Sequence, residues 1–182
     1  MPKSKAEILR RAKKIKLLLM DVDGVLTDGG IYLLSEPGGQ AREIKVFNAL
    51  DGAGLRLVQR AGTQTGIITG RQSAAVTCRA QELEMNFLEQ DAFEKLPAYH
   101  RILRASALRD EQVCYVGDDI TDLPLFARVG LAVAVANAHP EAKRGAHYVT
   151  RAAGGHGAVR EIIDLLLRAQ GHYARLLRQF RG

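Results

Sequence analysis

Ile15-Lys16-Leu17-Leu18-Leu19-Met20-Asp21-Val22-Asp23-Gly24-Val25-Leu26-Thr27-Asp28 is a mainly apolar run that stops on two aspartates. Residues i and i+2 of an extended segment point to the same side. Two carboxylates held that way at the end of a buried strand repel each other. A divalent cation between them relieves this, as does keeping one protonated as an acid. The plain alternative is a strand that ends in an acidic turn, and the rest of the chain decides between the two.

Working outward, strand-like apolar runs alternate with segments of helical period. The strand candidates are 15–20, 65–69, 86–88, 113–116, 131–135 and 147–149. Between them, 53–60, 73–83, 93–106 and 122–128 carry apolar residues at spacings of three and four, and a last helix starts near Gly157. This order predicts an α/β fold: a single Rossmann-like parallel sheet with helices on both faces. One segment departs from it. Residues 30–34 and 43–47 read as two strands around the turn Ser35-Glu36-Pro37-Gly38-Gly39-Gln40. The expectation is a β-hairpin flap, about 29–47, beside the aspartates. The whole of 1–182 reads as one domain with no large cap, closed by a C-terminal helix and tail at about 157–182.

The chain has 182 residues, 47% hydrophobic and 25% charged, with a formal net charge of +6. That composition suits a globular protein with a full core. No apolar run approaches the roughly 18–20 residues that span a bilayer, so no membrane partner is expected. Residues 1–16 lack an apolar signal core. Cys78 and Cys114 read as buried free thiols of a reducing compartment, so the expected location is cytoplasmic. The positive balance favours anionic partners. There is no nucleic-acid motif and no Trp, so nucleic acid is not expected. Arg168, Arg175, Arg178 and Arg181 read as a solvated or subunit-contacting helix face. A small phosphorylated or carboxylated substrate accounts for the charge equally well.

In an open α/β sheet, ligands bind at the carboxyl ends of the strands. Asp21 and Asp23 sit there after the first strand, and Thr69-Gly70-Arg71 after the second. Lys95 lies early in the third helix, and Gly117-Asp118-Asp119-Ile120-Thr121-Asp122 follows the fourth strand. Each has a plain reading alone: a turn, a solvated lysine, an acidic helix cap. Together they suit phosphoryl transfer through an aspartyl-phosphate. Asp21 is the candidate nucleophile, and Asp23 the acid/base for the leaving alkoxide and the attacking water. Asp21, Asp118 and the Asp23 carbonyl offer hard oxygen ligands for Mg²⁺. Lys95 and Thr69 would hold the phosphate. Asp119 would orient Lys95, and Asp122 is either a supporting residue or the start of the next helix.

DVDGVLTDG, IITGR, the isolated lysine and GDDITD together resemble the haloacid dehalogenase-like phosphohydrolases, with all four motifs in order. Residues 24–68 and 70–117 leave no room for a large cap beyond the core elements. Capless members close the site with a neighbour in a homotetramer. Phe47–Gly52, Ile67–Arg71, Tyr115–Asp119, Ala132–Pro140, Tyr148–Arg151 and Gly154–Glu161 narrow the likeness to the 3-deoxy-D-manno-octulosonate 8-phosphate phosphatases. That resemblance implies a sugar acid phosphate substrate whose product feeds lipopolysaccharide synthesis. It places substrate contacts on Asp23, Asn48, Ala49, Leu50, Asp51, Gly52, Arg56, Thr69, Gly70, Arg71, Arg79 and Lys95. Two positions depart from the family: Leu50 and His156 stand where basic residues are usual. Phosphatases of nine-carbon sugar acid 9-phosphates share these motifs. A non-catalytic oligomeric module is the reading from another class, but it would be expected to lose one of Asp21, Asp23, Lys95 or Asp118, and all four are present.

Overall fold

The computed structural model describes residues 3–39 and 41–181. Six strands form one sheet: β1 Leu17–Met20, β4 Gln64–Ile68, β5 Phe87–Glu89, β6 Val113–Gly117, β7 Leu131–Ala134 and β8 Tyr148–Val149. They are all parallel and run in the order β5-β4-β1-β6-β7-β8. Every residue of β1, β6 and β7 is buried. Both faces of such a strand are covered, which is why these segments read as continuous apolar runs rather than alternating ones. The covering helices are α1 Lys5–Ala12, α2 Ala49–Arg60, α3 Ala74–Glu82, α4 Lys95–Ser106, α5 Leu123–Phe126, α6 Pro140–Gly145, α7 Ala158–Ala169 and α8 Tyr173–Arg181. α7 packs against α2 and α1, while α4 packs against α5. α7 buries Val159, Ile162, Ile163 and Leu166, a stripe at helical spacing. No helix among the described residues is long and apolar enough to cross a membrane.

From β1 the chain first builds outward through β4 and β5, then crosses to β6 on the other side of β1. The switch point therefore lies between β1 and β6, where a crevice opens at the strand ends. β2 Tyr32–Ser35 and β3 Ala41–Ile44 pair antiparallel as a separate hairpin between β1 and α2.

The six sheet strands lie within two residues of their expected positions, whereas β3 of the hairpin ends at Ile44, three residues before the expected end, and other departures have local causes. α2 begins at Ala49, four residues before the expected start, because the Asn48 side chain accepts a hydrogen bond from Leu50 N at 2.8 Å and caps it. α1 was not expected; Ser4 caps it and Arg11 pairs with Glu7 at 3.0 Å one turn away. The single C-terminal helix is in fact two, broken at Gly171 with φ +77°. Cys114 is buried, but Cys78 is exposed on α3, contrary to the expectation of two buried thiols; its stretch is apolar only on the inward stripe.

Candidate active site

Asp21 follows β1 directly, and its N–H still bonds Val116 O of β6 at 3.0 Å. One carboxylate oxygen accepts from Val22 N at 2.6 Å, the other from Lys95 Nζ at 2.7 Å. Lys95 opens α4, its side chain 2% exposed. Its ammonium also donates to Tyr115 OH at 3.0 Å and Asp122 Oδ1 at 2.5 Å, so all three of its donors are used. Asp122 is fully buried. Its Oδ1 also accepts from Tyr115 OH at 2.8 Å, and its Oδ2 from the N–H groups of Asp118 and Asp119 at 2.8 and 3.1 Å.

That geometry corrects one expectation. Asp119 does not orient Lys95: its carboxylate caps the short 3₁₀ turn Ile120–Asp122, accepting from Ile120 N at 2.7 Å. The turn folds Asp122 back under the strand end, and Asp122 takes the lysine.

The charges do not balance. Asp21, Asp118 and Asp122 bring carboxylate oxygens within 4.8 Å of one another, and Lys95 is their one buried ammonium. Burial raises the Asp21 pKa, Asp122 adds to the rise, and Lys95 opposes it. Burial, then Asp21 and Asp122, push Asp118 up to about 7. Burial lowers the Lys95 pKa, but the charges of Asp21 and Asp122 outweigh it, so the net shift is upward and the lysine stays charged. A carboxylate nucleophile must be ionised, so the cluster calls for one more cation. Each Asp122 oxygen already accepts two hydrogen bonds, whereas each Asp21 oxygen accepts one. That leaves Asp21 and Asp118 as the carboxylates for a metal, with hard oxygens that suit a magnesium-like ion. The loop between them is tight. Gly24 has φ +88°, and a Cβ there would collide with Asp118 Oδ2; a Cβ on Gly154 would collide with Gly24 O. Gly155 N also bonds Val25 O at 2.9 Å. The glycine-rich segment before α7 thus buttresses the Asp21–Asp23 loop.

Asp21, Asp23, Thr69, Gly70, Arg71, Lys95, Asp118 and Asp119 line one cleft of about 270 Å³, with Phe93 and Thr121. A larger, mainly apolar cleft of about 860 Å³ lies by α1, α6 and β8, and none of these residues lines it. Size alone does not locate the chemistry. The remaining expected contacts do not reach the catalytic cleft within this chain. Asn48 caps α2 and donates to Gly155 O at 3.1 Å. Asp51 is buried and accepts from Arg160 N at 2.7 Å, tying α2 to α7; burial raises its pKa. A side chain on Gly52 would meet Arg79. Arg56 donates to Glu82 O at 2.8 Å. Arg79 pairs with Glu82 at 2.7 Å and lies 5.7 Å from the Phe47 ring centroid. Ala49 and Arg79 line a second cleft of about 470 Å³ with Lys45, Phe47, Ala75, Cys78 and Glu82, and Leu50 is exposed.

The residues missed from sequence include Phe93 and Thr121 of the cleft lining and, around it, Tyr115, Glu43 and Lys45. Lys45 Nζ bonds Asp23 Oδ1. Glu43 accepts from Arg71 at 2.7 Å and from the Ser73 hydroxyl at 2.5 Å. The one available signal was a pair of charges two apart on a hairpin strand.

Two aspartates at one strand end, a buried lysine and a further carboxylate within reach of a metal are the parts that an aspartate-based phosphatase needs. A family model described as haloacid dehalogenase-like hydrolase matches residues 87–162. The 3-deoxy-D-manno-octulosonate 8-phosphate phosphatase of Yersinia pestis is 48% identical over 164 residues, covering 90% of this chain and 86% of the relative. The enzyme of that name from Escherichia coli K12 is 47% identical over 166 residues, with 91% and 86% covered. The crystal structure of the Moraxella catarrhalis phosphatase of that name, in complex with magnesium ion, phosphate ion and KDO molecule, has a TM-score of 0.91. It is 36% identical, with 97% of this chain and 99% of that one covered. The chain belongs to the haloacid dehalogenase-like hydrolases, in the family of the 3-deoxy-D-manno-octulosonate 8-phosphate phosphatases. It is a phosphoric monoester hydrolase.

Proposed function

We propose that this chain hydrolyses 3-deoxy-D-manno-octulosonate 8-phosphate to the free sugar acid and phosphate, through an aspartyl-phosphate on Asp21. The observation that carries the reading is Asp21 held 2.7 Å from a fully bonded Lys95, with an Asp118 oxygen within 4.8 Å of it. An Asp21 oxygen bonds to phosphorus as the P–O bond to the sugar breaks, and Asp23 gives its proton to the leaving oxygen. Water then attacks phosphorus, returns a proton to Asp23 and frees Asp21. As Asp21 takes the phosphoryl group, the Lys95 donor that it accepted turns to a phosphoryl oxygen, and the Thr69 hydroxyl and nearby N–H groups hold the others. Asp21, Asp118 and the Asp23 carbonyl would hold Mg²⁺, which when bound neutralises charge on the carboxylates and the phosphoryl group.

Arg71 lines the same cleft and suits a substrate that carries a second anion. The product would feed lipopolysaccharide synthesis, as the family likeness implies. The chain folds as one domain over 1–182, and the hairpin serves as a subunit interface. Ile31 and Leu33 on it are 66% and 63% exposed, and Leu34, Val46 and Leu50 are also exposed. An apolar patch of that kind is what a subunit contact covers. A homotetramer would bring a neighbour over the open site, and Asn48–Gly52, Arg56 and Arg79 would then act across the contact.

The test is phosphate release with Mg²⁺ from the eight-carbon substrate, a nine-carbon sugar acid 9-phosphate and simple sugar phosphates. The reading expects the highest kcat/KM on the first. Preference for another phosphate overturns the substrate, and no release from any overturns the enzyme reading.

A further inference from the structure

We infer that Lys45, on the flap, is the positioning residue for the Asp23 acid/base, and that Glu43 holds Lys45 in place. The inference rests on Asp23 acting as the acid/base proposed above. Glu43 near the end of β3 and Lys45 just beyond it are two apart and turn to Asp23 and Arg71 of the cleft wall, while Ile44 and Val46 between and beyond them are exposed. The Lys45 side chain is 2% exposed, almost as sheltered as any group in the core, though it hangs from a two-stranded hairpin. A buried ammonium persists only where it is paired. Its partners are Asp23 Oδ1 and, at 3.4 Å, Glu43 Oε1.

Glu43 is fixed in turn. It accepts from Arg71 at 2.7 Å and Ser73 Oγ at 2.5 Å, both in the segment after β4. Two strand ends of the main sheet are thus tied to one flap strand. With Lys45 on Oδ1, the plane of the Asp23 carboxyl group is set. Its Oδ2 lies 3.8 Å from Arg71, beyond hydrogen-bonding distance, and remains the oxygen free to carry and return the proton. Lys45 also lines the second cleft, the one with Phe47 and Arg79. It stands at the seam between the catalytic cleft and the space next to it, where the body of a leaving alcohol would pass. A flap that only shielded the site would need no buried cation on the acid/base.

The experiment is steady-state kinetics of Lys45→Met, Lys45→Arg, Asp21→Asn and Asp23→Asn on two esters. One is 3-deoxy-D-manno-octulosonate 8-phosphate, whose alkoxide needs a proton to leave. The other is 4-nitrophenyl phosphate, whose phenolate leaves without one. Lys45→Met is expected to lose about 10²-fold in kcat on the sugar ester, with KM within about threefold. On the aryl ester it is expected to lose under about threefold. Lys45→Arg, which keeps the cation, recovers most of the loss. Equal losses on both esters, or a rise in KM alone, would overturn the inference. Should the wild type not turn over the aryl ester, the split between kcat and KM on the sugar ester decides. An active Asp21→Asn would sink the mechanism itself. An inactive Asp21→Asn and a leaving-group-dependent Asp23→Asn, with Lys45→Met losing equally on both esters, would sink the role of Lys45 alone.

Discussion

Lys95 and Lys45 are both lysines with side chains 2% exposed, and each grips an aspartate of the same loop. One rises from the first turn of α4 into the core. The other comes from a hairpin outside the sheet. Lys95 is held from below by Asp122 and Tyr115, which belong to the packed interior. Lys45 is held by Glu43, Asp23 and, through Glu43, by Arg71, whose side chain is 42% exposed. The floor of the cleft is therefore built by burial, and the flap by ion pairs. A packed core moves little, whereas groups tied by part-exposed ion pairs yield to a competing anion. On the proposed reading, the pocket for the phosphoryl group is preformed, and the wall facing the rest of the substrate is the adjustable side.

The sharpest way to break this comparison is at the floor. Asp21→Asn should abolish turnover while the circular dichroism spectrum stays native, because it removes the proposed nucleophile and relieves charge beside Asp118. Asp23→Asn should slow hydrolysis of the sugar ester by about 10²–10⁴-fold; full activity in either variant would contradict the proposed mechanism. Stability separates the regions next. Asp122→Ala leaves Lys95 without its deepest partner and should cost about 3–5 kcal/mol in urea unfolding. Glu43→Gln, in the part-exposed flap network, should cost no more than about 1 kcal/mol.

The metal adds a pH test. In the metal-free protein the Asp118 pKa is about 7 against an ordinary 3.8. The folded chain then holds an extra proton between those values, so its stability falls as pH rises from about 4 to 7. Magnesium competes with that proton. Its stabilisation in thermal unfolding should be larger at pH 8 than at pH 5.5, with affinity weakening by up to tenfold per unit below about 7. An equal shift at both pH values would place the ion elsewhere. The smallest effect on the chemistry is expected at the outer face of the flap. Leu33→Asp should lower the mass seen by sedimentation and leave aryl phosphate turnover close to wild type. An unchanged mass would remove the flap from the subunit contact.

The strand-end residues were legible because each signal is local. An apolar run that ends on Asp21 places that carboxylate at a strand end wherever the sheet lies, and Thr69 and Asp118 follow by the same logic. Glu43 and Glu89 illustrate the opposite case. Both are charged residues at the ends of hairpin or edge strands. Glu43 pairs with Arg71 of the cleft at 2.7 Å, while Glu89 pairs with the exposed Arg101 at 2.6 Å. Each has a second charged residue two positions on, Lys45 and Asp91, so that spacing alone does not separate them.

By itself the sequence determined the α/β order, the Asp21–Asp23 loop at the first strand end, the lysine that opens α4 and the flap between them. The tertiary structure decided that Asp122 rather than Asp119 takes Lys95, because a 3₁₀ turn reverses their positions under β6. It also turned Asp51 into a strap between α2 and α7, and brought Lys45 onto Asp23 across 22 residues of chain. Backbone period and burial are written along the chain, residue by residue. Which two charges meet depends on distances between segments, and only packing sets those.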